Sequence, residues 1–182
     1  MKALTMVPVL AALCWPGLAL AQQQQAAPAS DPALSAQANA TYLAANAKKP
    51  GVIVKPDGLQ FKIIQSGFGR RPTPTDTVQV YYTGSLINGA VFDGTSPGLP
   101  ASFKVSQVIP GWIEALQQMR EGDHWQLVIP STIGYGSRGA GKAIPPDQTL
   151  VFDMTLLTTT PAPRRGEPGY IPDPNDPEDK EH

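Results

Sequence analysis

Residues 101–130 read "ASFKVSQVIPGWIEALQQMREGDHWQLVIP", and two hydrophobic periods meet inside that stretch. Trp112, Ala115, Leu116 and Met119 recur at the three-and-four spacing that places them on one side of a helix. A few residues later Trp125, Leu127 and Ile129 alternate with His124, Gln126 and Val128, the period-two pattern of a half-buried strand. A short helix whose apolar side must lie on a sheet is therefore the kernel of the fold, and it requires more strands around it.

Three further runs supply them. Leu59, Phe61 and Ile63 alternate with Gln60, Lys62 and Ile64, and Val78, Val80 and Tyr82 with Gln79, Tyr81 and Thr83. From Thr149 to Thr158, Leu150, Phe152, Met154 and Leu156 share one face, with Val151, Asp153, Thr155 and Leu157 on the other. The pattern predicts an antiparallel α+β domain over residues 58–158. Residues 159–182 are dense in proline and acid with almost nothing apolar, so a disordered tail is expected there. No internal repeat is visible.

The segment before the domain divides in two. Residues 1–21 carry one early charge, Lys2, an apolar stretch from Ala3 to Leu20 and a small-x-small site at Ala19-Leu20-Ala21, which predicts a signal peptide cleaved near Ala21 and an exported, periplasmic or secreted protein. Pro8, Pro16 and Gly17 interrupt that stretch and it is short for a bilayer span, so no stable membrane anchor is expected. Residues 22–57 read as a linker and a short helical arm. Asp31 as cap, Pro32 at the first helical position and an Ala-rich run to Lys49 give the helix, with Pro50-Gly51 as its stop. Its apolar face is thin, so a solvent-exposed arm and a homodimerisation helix over 31–49 are both open readings.

Charge and composition exclude several classes of function. The formal net charge is −1, which gives no basic footprint for nucleic acid. The single cysteine, Cys14, lies in the expected signal, leaving an exported chain without disulfides or a thiol nucleophile. Ser131, His124 and Asp147 can be drawn as a triad, but no nucleophile elbow accompanies them. Metal-ligand spacing and phosphate-cradling glycine loops are absent, so neither metal nor cofactor is expected.

The segments "VQVYYTGSLINGAVFD" (78–93), "ASFKVSQVIPGWIEALQQMREGDHWQLVIP" (101–130), "GYGSRG" (134–139) and "IPPDQTLVFDMTLL" (144–157) resemble the FKBP family of peptidyl-prolyl cis-trans isomerases in order, spacing and identity. The exported bacterial branch of macrophage infectivity potentiator-like proteins is the most similar part of that family. The resemblance implies an FKBP-like half-barrel of about five antiparallel strands wrapped round one short helix, with a pocket between helix and sheet for a prolyl ring. It assigns Tyr82, Phe92, Asp93, Trp112, Tyr135 and Phe152 to catalysis, and Phe103, Val108, Ile109 and Ile144 to substrate binding, with Trp112 as the floor. Without it, aromatic residues at alternate strand positions such as Phe92, Phe103 and Phe152 would read as ordinary core. Ala101, where an aromatic is frequent in the family, the short link from Phe103 to Val108 and a loop at Ser137–Ala143 without aromatics are departures that bear on inhibitor affinity and substrate preference.

The chemistry implied suits such residues. Rotation about an Xaa-Pro amide must break C–N resonance, a barrier of roughly 18–20 kcal/mol. Catalysis needs only tighter binding of the twisted amide than of either planar form, so an apolar, aromatic site without a nucleophile is sufficient. Aromatic walls would desolvate the amide, the Ile109 N–H and Tyr135 hydroxyl would hold carbonyls, and Asp93 would orient Tyr82 or meet the rotating carbonyl. Proline-containing polypeptides and FKBP-directed macrocyclic inhibitors are the expected ligands. A non-catalytic chaperone that grips unfolded exported chains is the alternative.

Overall fold

The computed structural model describes residues 31–163 and 167–169. The expected signal peptide, the Gln/Ala-rich stretch after it and most of the expected tail lie outside the described residues.

The chain begins with a 3₁₀ turn, Pro32–Leu34, and helix α1, Ala36–Asn46. Strands β1 (Val52–Val54), β2 (Gln60–Gln65), β3 (Thr77–Leu86), β4 (Val91–Gly94) and β5 (Ala101–Lys104) follow. Helix α2 (Pro110–Gln118), β6 (His124–Ile129) and β7 (Leu150–Thr160) complete the fold. The strands form one antiparallel sheet in the order β1-β2-β6-β7-β3-β4, and β5 also pairs with β3. The ten-residue β3 has room for two partners on one edge: Thr77–Val80 pair with β5, Thr83–Ser85 with β4. The sheet exceeds the expected domain at both ends, reaching back to Val52 and on to Thr160.

The predicted kernel is present. Pro110 starts α2 with its fixed φ, after Ile109 in extended conformation, and Trp112, Ala115, Leu116 and Met119 are all buried against the sheet. Val78, Val80, Tyr82, Trp125, Leu127, Ile129, Leu150, Phe152, Met154 and Leu156 oppose them in one continuous core. Each such aliphatic or aromatic side chain contributes about 1.5–3 kcal/mol on full burial. Helix and sheet approach closely at Gly111, where an added Cβ would stand 2.7 Å from Ile129 Cγ2.

Two expectations are corrected. The alternation in β2 holds for Leu59 and Phe61 but not for Ile63, which is 41% exposed, as Ile64 is at 51%. The register slips between Ile63 and Gln65, and β1 ends its pairing at Lys62, so the last residues of β2 lie at an open edge of the sheet. The helix of residues 31–49 is shorter than expected because Ser35 intervenes in extended conformation. Its Oγ accepts from Ala38 N at 3.2 Å and caps α1, while Asp31 caps only the preceding 3₁₀ turn.

Nor does α1 stand away from the domain. It docks through amide side chains instead of an apolar face. Asn46 Nδ2 donates to Gln60 Oε1 at 2.9 Å, Gln60 Nε2 donates to the Leu43 carbonyl at 3.1 Å, and the Thr149 N–H donates to Asn39 Oδ1 at 2.7 Å. Such bonds leave no hydrophobic periodicity to read.

Candidate active site

Trp112 occupies the first turn of α2, and the curl of the sheet brings three rings around it. Tyr82 from β3 meets it edge-on at 5.1 Å between centroids, Phe103 from β5 at 5.5 Å and Phe152 from β7 at 5.2 Å. Phe92 from β4 packs edge-to-face on Phe152 at 5.6 Å. Near-perpendicular pairs of this kind place positive ring edges on negative faces, which fixes every plane relative to its neighbours.

Above the indole lies a cavity of about 360 Å³ lined by Tyr82, Phe92, Asp93, Phe103, Gln107, Val108, Ile109, Trp112, Tyr135 and Phe152. Its walls come from four strands, the turn before α2 and the loop after β6, so only the folded domain assembles it. Nine of the ten residues singled out from the sequence line it. The tenth, Ile144, is 4% exposed and packed in the core, where its N–H and carbonyl pair with Ala140 and shape the loop behind Tyr135. Gln107 lines the cavity and was not singled out. A polar residue directly before Val108-Ile109 was the available signal.

Polar groups are few and placed at the rim. The Tyr82 hydroxyl donates to Asp93 Oδ2 at 2.6 Å, and the Gly94 N–H donates to Asp93 Oδ1 at 2.8 Å. Both carboxylate oxygens are therefore engaged. Burial, then the hydrogen bond to Asp93 and its charge, pushes the Tyr82 phenol well above its ordinary range. Tyr135, 39% exposed, is raised by burial and by the Asp93 charge, so its hydroxyl remains a neutral donor at physiological pH. Ile109 is the N-cap of α2; its carbonyl accepts from Trp112 and Ile113, while its N–H finds no acceptor among the described residues.

Gly84 makes the aromatic arrangement possible. An added Cβ there would stand 2.7 Å from Phe92 Cε2 and Cζ and 2.8 Å from Phe152 Cε1. Both rings lie across the backbone of β3 at the one position without a side chain. His124 is remote from this chemistry, its Nε2 paired with Asp153 Oδ1 at 2.8 Å on the outer face of the sheet. Among the described residues no group of three metal-ligating side chains comes together. No helix among them is long and apolar enough to cross a membrane.

Residues 69–157 match the family model described as FKBP-type peptidyl-prolyl cis-trans isomerase, and residues 6–63 match the model of the domain amino-terminal to it. The chain is 51% identical over 122 residues to an outer membrane protein MIP of Legionella longbeachae, covering 66% of this chain and 52% of that protein. It is 55% identical over 117 residues to the FKBP-type 22 kDa peptidyl-prolyl cis-trans isomerase of Escherichia coli, covering 64% and 57%. The chain thus spans little more than half the length of these curated relatives. A crystal structure of a peptidyl-prolyl cis-trans isomerase from Pseudomonas syringae pv. tomato superposes with a TM-score of 0.65 at 39% identity, covering 68% of this chain and 92% of that one. That of FkpA from E. coli gives 0.66 at 42% identity, covering 69% and 59%.

Proposed function

Since the chain belongs to the family of FKBP-type peptidyl-prolyl cis-trans isomerases, we propose that it accelerates rotation about Xaa-Pro bonds in polypeptides without covalent chemistry. The observation that carries this reading is the cavity itself: an aromatic cup floored by Trp112, with Tyr135 and the Ile109 N–H as donors at its edge. Its volume of about 360 Å³ lies within the usual range of small-molecule sites, about 300–1,000 Å³.

The mechanism follows from what each group does to the amide. A prolyl ring seated against Trp112, between Tyr82, Phe103 and Phe152, is held while the chain on its other side turns. Losing conjugation makes the nitrogen pyramidal and the carbonyl less polar, and a desolvated site favours that twisted form over the planar ones. The Tyr135 hydroxyl and the Ile109 N–H hold substrate carbonyls through the rotation. Each 1.36 kcal/mol gained in this way, about one good hydrogen bond, is tenfold in rate.

The protein acts on exported polypeptides in this proposal. Support comes from the signal-like residues 1–21 and from the name of the Legionella longbeachae relative, an outer membrane protein. FKBP-directed macrocycles would occupy the same cup.

The test is a proline-limited refolding reaction and a short prolyl peptide, each with and without such a macrocycle. Catalytic acceleration of the slow phase at substoichiometric protein, abolished by the macrocycle, supports the proposal. An unaccelerated slow phase, even with stoichiometric binding, overturns it.

A further inference from the structure

We infer that Asn39 of α1 is a positioning residue for the pocket, acting through the loop that carries Tyr135. This inference rests on the isomerase reading above. Its physical basis is a path from a helix outside the pocket, by hydrogen bonds to Gln148 and Thr149, along the backbone to Asp147 and by its N–H to Gly136 beside Tyr135.

Asn39 is 5% exposed, and its amide is fully used. Its Nδ2 donates to the carbonyls of Leu34 at 3.1 Å and Ser35 at 3.0 Å and to Gln148 Oε1 at 3.2 Å; its Oδ1 accepts from Thr149 N at 2.7 Å. Gln148 Nε2 closes the clasp by donating to the Leu34 carbonyl at 3.2 Å and to the Pro146 carbonyl at 2.8 Å. One side chain of the helix thus pins two consecutive residues at the end of the loop that leads into β7.

Ile144 anchors the middle of that loop in the core, with Ile133 and Ala140 packed against it, while its ends are held by few backbone bonds. Apart from short 3₁₀ turns, the backbone between β6 and β7 forms no regular structure. Ala140 and Ile144 pair with each other across a bend, and the Asp147 N–H donates to the Gly136 carbonyl at 2.9 Å. Asp147 itself sits at φ +60°, a left-handed conformation that a non-glycine residue holds only under constraint from its surroundings. The constraint on one side is the Asn39–Gln148–Thr149 clasp, and on the other Gly136, the residue after Tyr135. Displacing the clasp therefore displaces the phenol donor at the pocket rim.

The same N-terminal segment also touches the opposite wall. Asn88 Nδ2, in the turn between β3 and β4, donates to Asp31 Oδ2 at 2.9 Å, four residues before Phe92. The segment before the isomerase domain is in this view part of the frame that sets the distance between the two sides of the cup.

A matched control exists on the same helix. Asn46 is 3% exposed and docks α1 through Gln60 at 2.9 Å, but Gln60 belongs to β2, which contributes nothing to the cavity lining. Asn39→Ala and Asn46→Ala both loosen α1; only the first releases the loop.

The experiment compares the two variants in the full chain, at a temperature where circular dichroism shows each to be folded. The readouts are kcat/KM on a prolyl peptide and the chemical shifts and hydrogen exchange of backbone amides 134–147. Asn39→Ala is expected to lower kcat/KM five- to tenfold and to shift and deprotect those amides, with Asn46→Ala within twofold of the wild type and its loop signals unmoved. Gln148→Ala, which leaves the Asn39–Thr149 bond in place, is expected to move the same signals by less, and it serves if Asn39→Ala does not fold. Equal effects of the Asn39 and Asn46 variants, or unmoved loop signals in both Asn39→Ala and Gln148→Ala, overturn the inference. A wild-type chain without turnover would defeat the isomerase reading alone, and the loop signals would then decide the positioning role by themselves.

Discussion

The Tyr82 hydroxyl and Asp93 Oδ2 are 2.6 Å apart, and this bond joins the inside of the cup to its rim. Asp93 Oδ1 accepts from the Gly94 N–H, so each oxygen of the carboxylate holds one hydrogen bond within the site. In the proposed site that geometry would fix the Tyr82 ring and present negative charge beside Tyr135. Tyr82→Phe and Asp93→Leu are each expected to lower kcat/KM several-fold. The double variant should cost little more than the worse single one, because both remove the same bond. Additive losses in a double-mutant cycle on a prolyl peptide would contradict this coupling.

Three raised phenols, Tyr42, Tyr82 and Tyr135, contribute to the alkaline limb of stability. A tyrosine whose folded pKa lies above its unfolded value, about 10, binds its proton more tightly in the native state. Its contribution is fully present below that pH and is lost as pH rises toward the folded value. Burial raises Tyr42, Tyr82 and Tyr135 alike, with Tyr82 and Tyr135 also raised by Asp93, so unfolding free energy should be flat with respect to these groups up to about pH 9 and fall from about pH 10 upward. Urea denaturation at stepped pH measures it. Tyr82→Phe should remove much of the slope, and a slope unchanged in that variant would show that other groups cause it.

The Tyr135 hydroxyl at the pocket edge has no hydrogen-bond partner among the described residues. Since the side chain is 39% exposed, Tyr135→Phe should leave the melting temperature within a degree or two. The loss of one neutral hydrogen bond to the substrate, about 0.5–1.5 kcal/mol, corresponds to a fall in kcat/KM of roughly two- to tenfold. A melting transition displaced as much as turnover would mean that the hydroxyl serves the fold instead.

Trp112 is predicted to serve both. Its burial among Tyr82, Phe103 and Phe152 means that Trp112→Ala opens a cavity at the head of α2, at about 3–5 kcal/mol, and removes the floor. Trp112→Phe should restore most of the stability and only part of the activity, a separation read by urea titration beside the peptide assay.

The sequence and the structure part company where polar contacts replace apolar ones. The α2–β6 kernel was legible because its burial is periodic, and β3 and β7 followed for the same reason. The cup residues were legible only through family resemblance, since alternate aromatics on strands carry no sign of whether a ring faces core or cavity. Docking of α1 was not legible at all: Asn39 and Asn46 bury amides whose partners, Thr149, Gln148 and Gln60, are distant in sequence or on another element. The exposure of Ile63 was equally hidden, because a register slip is a property of the pairing partner. Ile144 shows the limit of the resemblance, having the position of a pocket residue but the burial of a core one.

The sharpest test of the cup's construction is a methyl group placed where the strand has none. Gly84 lies in the C-terminal half of β3, paired with Asp93 on one side and Phe152 on the other, and the rings of Phe92 and Phe152 close over it. A Cβ would stand 2.7 Å from the Phe92 ring and 2.8 Å from the Phe152 ring, inside any distance real carbon atoms adopt. Because β4 and β7 are both hydrogen-bonded to β3 here, the strands cannot part without breaking the ladders, so the rings must turn. Phe152 is locked edge-on to Trp112, and Phe92, half-buried at the sheet edge, is the ring free to yield. Gly84→Ala is therefore expected to destabilise by about 1–3 kcal/mol, the usual cost of overpacking. It should also raise KM for a prolyl peptide well beyond any change at Gly89, where φ +86° makes alanine costly to stability but an added Cβ would meet nothing within 4 Å. Melting curves and Michaelis kinetics of the two glycine variants, read together, check it: an unaltered KM in folded Gly84→Ala would show that the Phe92 and Phe152 rings do not form the substrate wall.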